Sequence, residues 1–355
     1  MKSLLFLILV SLLFISSSCS FQLSIFNELN KFKNGENVII SPLSIYQVLS
    51  LTTNGAKGLT QQEMLEALQS DSLSSLNSIN TEILSASKNS NTVEVANAVM
   101  TKFTPLSSFQ DVAKEYCAPV EKLISVSQVN EWCSKNTHGK ITKIIDNLDP
   151  SVMMILLNAV YFKGNWTHSF MKTNTKKKDF YNLGKTKVQV ETMSQTSRFK
   201  YYEDLNVQAV ELPYKEDEMS ALIILPKENI EINDYINSLS KSSKNLQLVL
   251  EGLDYCKVNL ELPKFELEFK SSLVKVLQNQ GMFTAFTDQA DFTGLRKEGN
   301  LYISDVIHKT YLKLNEYGTE AAAATAVIIN KSAPIIIGKI FKMKVNRPFL
   351  FLIRS

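Results

Sequence analysis

The 355-residue sequence is poor in the residues that mark the specialised protein classes. Its 12 glycines and 9 prolines are too few for a collagen-like or linker-rich chain. Four cysteines exclude a disulfide scaffold, and no C-x-x-C pair or Cys/His cluster offers a structural zinc site. Neither charge dominates. The 38 basic and 35 acidic side chains leave +3 with the signs interleaved, which gives no stripe for nucleic acid. No apolar run beyond the N-terminus is long enough to cross a bilayer. The phosphate-loop, G-x-G-x-x-G, H-E-x-x-H and G-x-S-x-G patterns are all missing. The three histidines, His138, His168 and His308, therefore have no evident nucleophile or metal to serve. His308 closes the apolar stretch Leu301 to His308 and reads as a buried, hydrogen-bonded residue rather than a general base. No metal and no cofactor is expected, and nothing in the chain points to an enzyme.

What is present is a core. Hydrophobic residues make up 45% of the chain and charged ones 21%, well away from the composition of a disordered polyelectrolyte. The first twenty residues, MKSLLFLILVSLLFISSSCS, run from basic Lys2 through apolar Leu4 to Ile15 to small residues at Ser16 to Ser20. That is the order of a secretory signal peptide over residues 1–20, with Phe21 as the mature start. The rest, residues 21–355, has no internal repeat and no Pro/Gly/Ser linker, so a single domain is expected. The protein is expected to be secreted and extracellular, with no membrane partner. A cut after Ser20 leaves Cys117, Cys133 and Cys256, an odd number that permits at most one internal bridge without saying which. Asn165-Trp166-Thr167 and Asn330-Lys331-Ser332 are both acceptors for N-linked glycan.

Helical spacing covers Ser20 to Lys33 and Leu43 to Leu51, and Thr60-Gln61-Gln62-Glu63 has the form of a capping box opening a helix through Leu68. Ser70 to Ser90 is polar enough for an exposed helix and loop. Val129 to Ile145 reads as a helical stretch broken at His138-Gly139. Strands are expected at Val38 to Ile40, Val93 to Met100, Met154 to Phe162, Val188 to Val190, Val207 to Leu212 and Ala221 to Leu225. Further strands are expected at Tyr311 to Leu314, Ile335 to Ile340 and Phe349 to Ile353. The pattern is that of one α+β domain with mostly antiparallel strands.

The segment from Glu316 to Ile329, EYGTEAAAATAVII, does not fit the simple reading. Its alanines favour helix by propensity, yet no large apolar residue anchors them and Val327-Ile328-Ile329 favours strand. With a period of two, Thr319, Ala321, Ala323, Thr325, Val327 and Ile329 share one face. All are small or apolar, so that face suits burial in a sheet, while Glu320 and Asn330 suit solvent. Such a segment can live exposed and later become a strand.

Here the sequence resembles the serpins. The hinge from Glu316 to Ala326 matches the inhibitory form of the family, and Met343 to Ile353, MKVNRPFLFLI, matches its signature position by position. Val38 to Ile45, Thr137 to Ile141, Asn158 to Trp166, Leu262 to Phe265, Ala290 to Gly294 and His308-Lys309 match in order as well. The resemblance implies an α+β fold of three mostly antiparallel β-sheets, surrounding helices, and an exposed reactive loop at about residues 316–340. A target protease would attack that loop as substrate. The freed hinge would then enter the main sheet as a new strand and drag the acylated protease with it, an established case of strand addition driven by stored strain. About a dozen residues gaining strand hydrogen bonds at ~1 kcal/mol each gives ~10 kcal/mol, comparable with the stability of a whole domain.

By the same resemblance the hinge comprises Glu316, Gly318, Thr319, Glu320, Ala321, Ala322, Ala323, Ala324 and Thr325, with Glu316 at its base, a position where the family often places a lysine partner. Ser41, Ser44, Asn158 and His308 match the shutter, a polar cluster under the main sheet that biases its opening. Family spacing puts the reactive bond at Ser332-Ala333, and a loop one residue shorter puts it at Lys331-Ser332. The second is favoured slightly, because a basic anchor binds a trypsin-like pocket far better than a hydroxymethyl group binds an elastase-like one. Glycan is expected on Asn165, and the Asn330 sequon is expected to be empty, since sugar there would block the loop. The partner is a target serine protease, trypsin-like or elastase-like, met by a monomer. The stretch from Tyr116 to Asn130 is shorter than in relatives, and relatives continue beyond the equivalent of Ser355 into one further central strand, which leaves a gap to be filled. Other readings are a non-inhibitory carrier or chaperone, whose hinge normally holds larger or charged residues, a cross-class inhibitor of cysteine proteases, and, more distantly, a hydrolase.

Overall fold

The computed structural model describes residues 7–10, 16–33, 35–87, 93–183, 186–215, 219–319 and 339–354. Nine consecutive buried residues, Met154–Phe162 (β5), make a strand that can only run inside a sheet covered on both faces. Antiparallel to it lies β3 (Val93–Thr101), with the short β4 (Val120–Lys122) beyond. On the other side β13 (Asp305–Asn315) runs parallel to β5. The two-residue strands β6 (Gly164–Asn165) and β14 (Gly318–Thr319) and the longer β12 (Phe265–Ser272) complete a seven-stranded sheet.

Helices close both faces. α2 (Pro42–Thr53), buried along its whole length, runs beneath this sheet and belongs to the large core. α6 (Val126–Asn136) lies across the opposite face, where Val129 and Cys133 meet Ala98, Ile155 and Leu157. The Ser125 hydroxyl caps α6 by accepting from Gln128 N–H at 3.2 Å. The helix ends at Asn136, and the chain then turns through left-handed His138 and Gly139, at the break expected from sequence.

The second sheet has nine strands in the order β15-β11-β8-β9-β10-β16-β1-β2, with β7 added at β8. Their ranges are β1 Leu7–Val10, β2 Val38–Ile40, β7 Lys176–Tyr181, β8 Lys187–Glu203, β9 Val207–Pro213, β10 Ser220–Pro226, β11 Asp254–Pro263, β15 Ile340–Lys344 and β16 Leu350–Arg354. Three sheets are implied by the resemblance, whereas continuous hydrogen bonding joins the described strands into two. The reason is β8: its 17 residues pair with β7 from Lys187 to Thr192, with β11 from Thr192 to Tyr201 and with β9 from Lys200 to Glu203. Val188 to Val190 is thus only the start of a long bent strand.

Two local expectations change form. Thr60 is not an N-cap, because α3 (Gly58–Ala67) begins earlier with Lys57 as its cap residue. The Thr60 hydroxyl instead accepts from Asp291 N–H, and Glu63 accepts from Phe283 N–H, Thr284 N–H and the Thr284 hydroxyl. The S/T-x-x-E pattern serves tertiary packing. Within the segment that reads as a leader, Leu7–Val10 forms β1, parallel to both neighbours, with Leu9 opposite Leu352 on one side and Ile40 on the other. β1 thus fills the sheet between β16 and β2. α1 (Ser16–Phe32) runs unbroken through Ser20 and Phe21, and the Phe21 ring packs edge-on against Tyr46. Cys117, Cys133 and Cys256 are all free thiols. Among the described residues no helix is long and apolar enough to cross a membrane.

Candidate functional site

The seam between β5 and β13 is where the matched residues converge. The two strands pair in parallel from Ile155 opposite Asp305 to Tyr161 opposite Tyr311. At the end of β13 the chain turns at Glu316 and Tyr317, and Tyr317 N–H donates to Asn315 Oδ1 at 2.9 Å to hold the turn. It returns as β14, antiparallel to β13, with Gly318 opposite Asn315 and Thr319 opposite Leu314. The far edge of β14 pairs with β6, which follows β5 after only Lys163. The two residues of β14 thus sit as a wedge between β13 and the prolongation of β5.

Each side chain of the wedge is fixed by its surroundings. A Cβ on Gly318 would lie 1.9 Å from Gly164 O and 2.8 Å from Asn165 Cα, so only glycine lets the backbones approach this closely. Thr319 is fully buried, and its hydroxyl shares a 2.8 Å hydrogen bond with Tyr214 OH. The Tyr214 ring stacks on Trp166 with centroids 4.6 Å apart, and Trp166 Nε1 donates to Asn315 O. At the base Glu316 is 3% exposed and accepts through Oε1 from Lys264 Nζ at 2.9 Å and from the Thr175 hydroxyl at 2.8 Å. Burial alone would raise its carboxyl pKa, but the bonds from Lys264 and Thr175 outweigh it and hold the group below the ordinary carboxylate value. A cavity of about 560 Å³ opens here, with Lys172, Lys264, Lys313, Glu266 and Glu316 in its lining.

Halfway down the seam lies the polar cluster. Asn97, Asn158 and His308 stand in one row across β3, β5 and β13. Asn158 Nδ2 donates to Asn97 Oδ1 at 2.5 Å, and Asn158 Oδ1 accepts from the Ser44 hydroxyl at 3.0 Å and from His308 Nδ1. His308 Nε2 accepts from Ser41 N–H at 3.4 Å, which assigns the ring proton to Nδ1. Full burial disfavours the imidazolium and pushes the His308 pKa down to about 3, so the ring is neutral. Ser41 and Ser44 come from the start of α2, and the Thr310 hydroxyl ties the seam to β2 through Ile39 O. The cluster joins the sheet to the helix beneath it.

Seven of the residues singled out from sequence therefore fall on one seam: Glu316, Gly318 and Thr319 at its head, and Ser41, Ser44, Asn158 and His308 at its middle. Glu320, Ala321, Ala322, Ala323, Ala324 and Thr325, the reactive-bond candidates Lys331, Ser332 and Ala333, and Asn330 lie outside the described residues. Asn165 is exposed on β6, beside the wedge. Sequence reasoning missed Asn97, Thr175, Tyr214 and Lys264. Asn97 had a signal, a lone amide within Val95-Ala96-Asn97-Ala98-Val99. Lys264 follows Pro263 in a matched motif, but nothing local marks it as the partner of Glu316. Among the described residues no group of His, Cys, Asp and Glu is placed to hold a metal ion.

A family model described as "Serpin (serine protease inhibitor)" matches residues 16–355. Iripin-2 of Ixodes ricinus is 36% identical over 341 residues, covering 90% of this chain and 84% of that one. The leukocyte elastase inhibitor of Xenopus laevis is 33% identical and covers 96% and 95% of the two chains. The crystal structure of tengpin, a thermophilic serpin in its native state, aligns with a TM-score of 0.87 at 32% identity, covering 97% and 92%.

Proposed function

The chain belongs to the serpin family of protease inhibitors, which is not a family of enzymes, and on that premise we propose that it is a secreted suicide-substrate inhibitor of serine endopeptidases. One observation carries the mechanistic part. The first two residues after the hinge turn already lie between β13 and the prolongation of β5, paired on both sides. Residues that follow Thr319 have one continuous path into the sheet, down the seam, antiparallel to both strands. β5 and β13 would part, and each would exchange its present partner for the new strand.

The chemistry begins on the protease. Its serine hydroxyl attacks the carbonyl of Lys331, the peptide bond to Ser332 breaks, and Ser332 leaves as a free amine. Lys331 remains joined to the protease as an ester. The released hinge then inserts with Thr319, Ala321, Ala323 and Thr325 on one face, all small enough to be covered. Insertion carries the ester-linked protease away before water can reach the acyl bond. The small hinge also argues for an inhibitor over a carrier.

Lys331 as the residue before the cut favours a trypsin-like target, and Ser332 in that place would favour an elastase-like one. Export is part of the proposal, supported by the basic, apolar and small-residue order of residues 1–20. Incubation with trypsin, with elastase and with chymotrypsin tests the reading. An inhibitor gives a complex that survives SDS, and mass spectrometry of the released C-terminal peptide locates the bond. If all three proteases gave only cleaved chain, the inhibitory reading would be lost.

A further inference from the structure

β8, β11 and β15 present one solvent face whose residues stand in three rows. The first is Arg198, Lys257 and Ile340; the second Thr196, Asn259 and Lys342; the third Ser194, Glu261 and Lys344. The opposite face carries Phe199, Val258, Leu260 and Met343, all buried, so the direction of the first face is unambiguous. Spacing in a sheet is about 4.8 Å between strands and about 6.7 Å between alternate residues of one strand, which sets the scale of this lattice.

Its charge is one-sided. Arg198, Lys257, Lys342 and Lys344 are all exposed, and none makes an ion pair among the described residues. Glu261, the acid in the third row, is engaged by Lys178 at 2.8 Å. Nearby Glu211 is buried and held by Lys200, Arg354 and Ser220. Four cations are thus left facing water on a molecule whose overall formal charge is only +3. Such a concentration steers an oppositely charged partner, whatever the rest of the surface does.

The place of the patch says which partner. Ile340, the first residue of β15, stands in the row of Arg198 and Lys257, and the chain arrives there from the reactive loop after Lys339. A protein seated on that loop must come close to this face. We propose that the exposed face of β8, β11 and β15 is an exosite that attracts an acidic surface of the docking protease. The proposal rests on the inhibitory reading above and adds a selectivity that the reactive bond does not supply. Proteases with the same cleavage preference would be sorted by the charge of their rim.

Cationic and anionic trypsin share one cleavage preference and differ in surface charge, which makes them suitable probes. Rate constants for formation of the SDS-stable complex would be measured with both, between low and physiological salt. Three proteins would be compared: the natural sequence, Arg198→Glu/Lys257→Glu, and Lys342→Glu/Lys344→Glu. Lys114→Glu, on the surface of another element, serves as the control. The natural chain is expected to react at least about tenfold faster with the anionic form at low salt, with the advantage shrinking as salt rises. Each double variant should lose that advantage while still forming complex, and the control should keep it. A ratio unchanged in both double variants overturns the exosite. So does a result in which the variants lose only retention on an immobilised sulfated polysaccharide, which would assign the face to a linear polyanion. Absence of complex from the natural chain with either trypsin counts instead against the trypsin-directed reading, and the exosite falls with it.

Discussion

Asn158 stands directly opposite His308 across the parallel seam of β5 and β13, and its Oδ1 accepts from His308 Nδ1. Because the same amide also serves Ser44 and Asn97, one side chain ties together two fully buried groups and the half-buried Asn97. Asn158→Ala would leave His308 Nδ1 without its partner, at about 1–3 kcal/mol, whereas Ser44 keeps Ser41 O as acceptor and Asn97 is open to water. A net loss of about 1–3 kcal/mol in urea unfolding is expected. Amides of Ile307 to Thr310 should also exchange faster, since these groups hold the seam closed. A loss under about 0.5 kcal/mol would mean that the cluster does not hold the seam.

His308 makes the same seam sensitive to acid. Its folded pKa is depressed to about 3, whereas an unfolded histidine titrates near 6.5. Between those values the unfolded chain binds the extra proton. The contribution is therefore complete above about pH 6.5 and is lost as pH falls toward 3, with a slope of up to about 1.4 kcal/mol per pH unit. Glu316, held below the ordinary carboxylate value, adds a loss of the same sign only at lower pH. Unfolding midpoints measured from pH 7 to 4.5 should fall in the natural chain and fall less steeply in His308→Gln. Parallel curves would remove His308 as the cause.

Much of this was legible because each piece was local. Gly318 and Thr319 at the start of the hinge, the unbroken apolar run of β5, and the lone polar residues Asn158 and His308 within apolar strands all carry their meaning over a few positions. Relations between distant strands were not legible. Lys264 meets Glu316 only because β12 follows it and pairs with β13, and Arg198, Lys257, Lys342 and Lys344 form a patch only through the register of three strands. The capping-box pattern at Thr60 failed for a related reason, since tertiary partners claimed both side chains.

Gly318 tests whether the wedge guides insertion. In Gly318→Ala the new methyl would meet backbone, Gly164 O at 1.9 Å, so β14 must leave its place. The cost is expected to be about 1–3 kcal/mol in stability. More tellingly, the hinge would lose its threaded start, and more inhibitor should be consumed as substrate per protease trapped. Thr319→Arg, which forces a charge into a fully buried position, should shift the balance further. Titration of trypsin with each variant measures this directly. Unchanged stoichiometry in both would mean that insertion does not start from the wedge.

The N-terminal strand gives a prediction of a different kind, because β1 and a leader cut after Ser20 need the same residues. β1 pairs through Leu7–Val10 with Leu350 to Ile353 and through Leu7–Leu9 with Val38–Ile40, and the flanking strands are almost wholly buried. A chain of residues 21–355 lacks this partner, and backbone groups on both facing edges must find water or another strand. Each buried group left without a partner costs about 1–3 kcal/mol, so even two or three of them should lower Tm by more than about 5 °C. Amides of Ile39 and Leu352 should lose protection in the same comparison with residues 1–355, while those of β5 keep theirs. A synthetic peptide spanning residues 5–12, added to the shorter chain, should recover part of the Tm, because the slot asks for an extended apolar backbone rather than for a covalent link. Equal melting and equal exchange in the two chains would show that the sheet closes without β1, and that removing residues 1–20 costs the fold nothing.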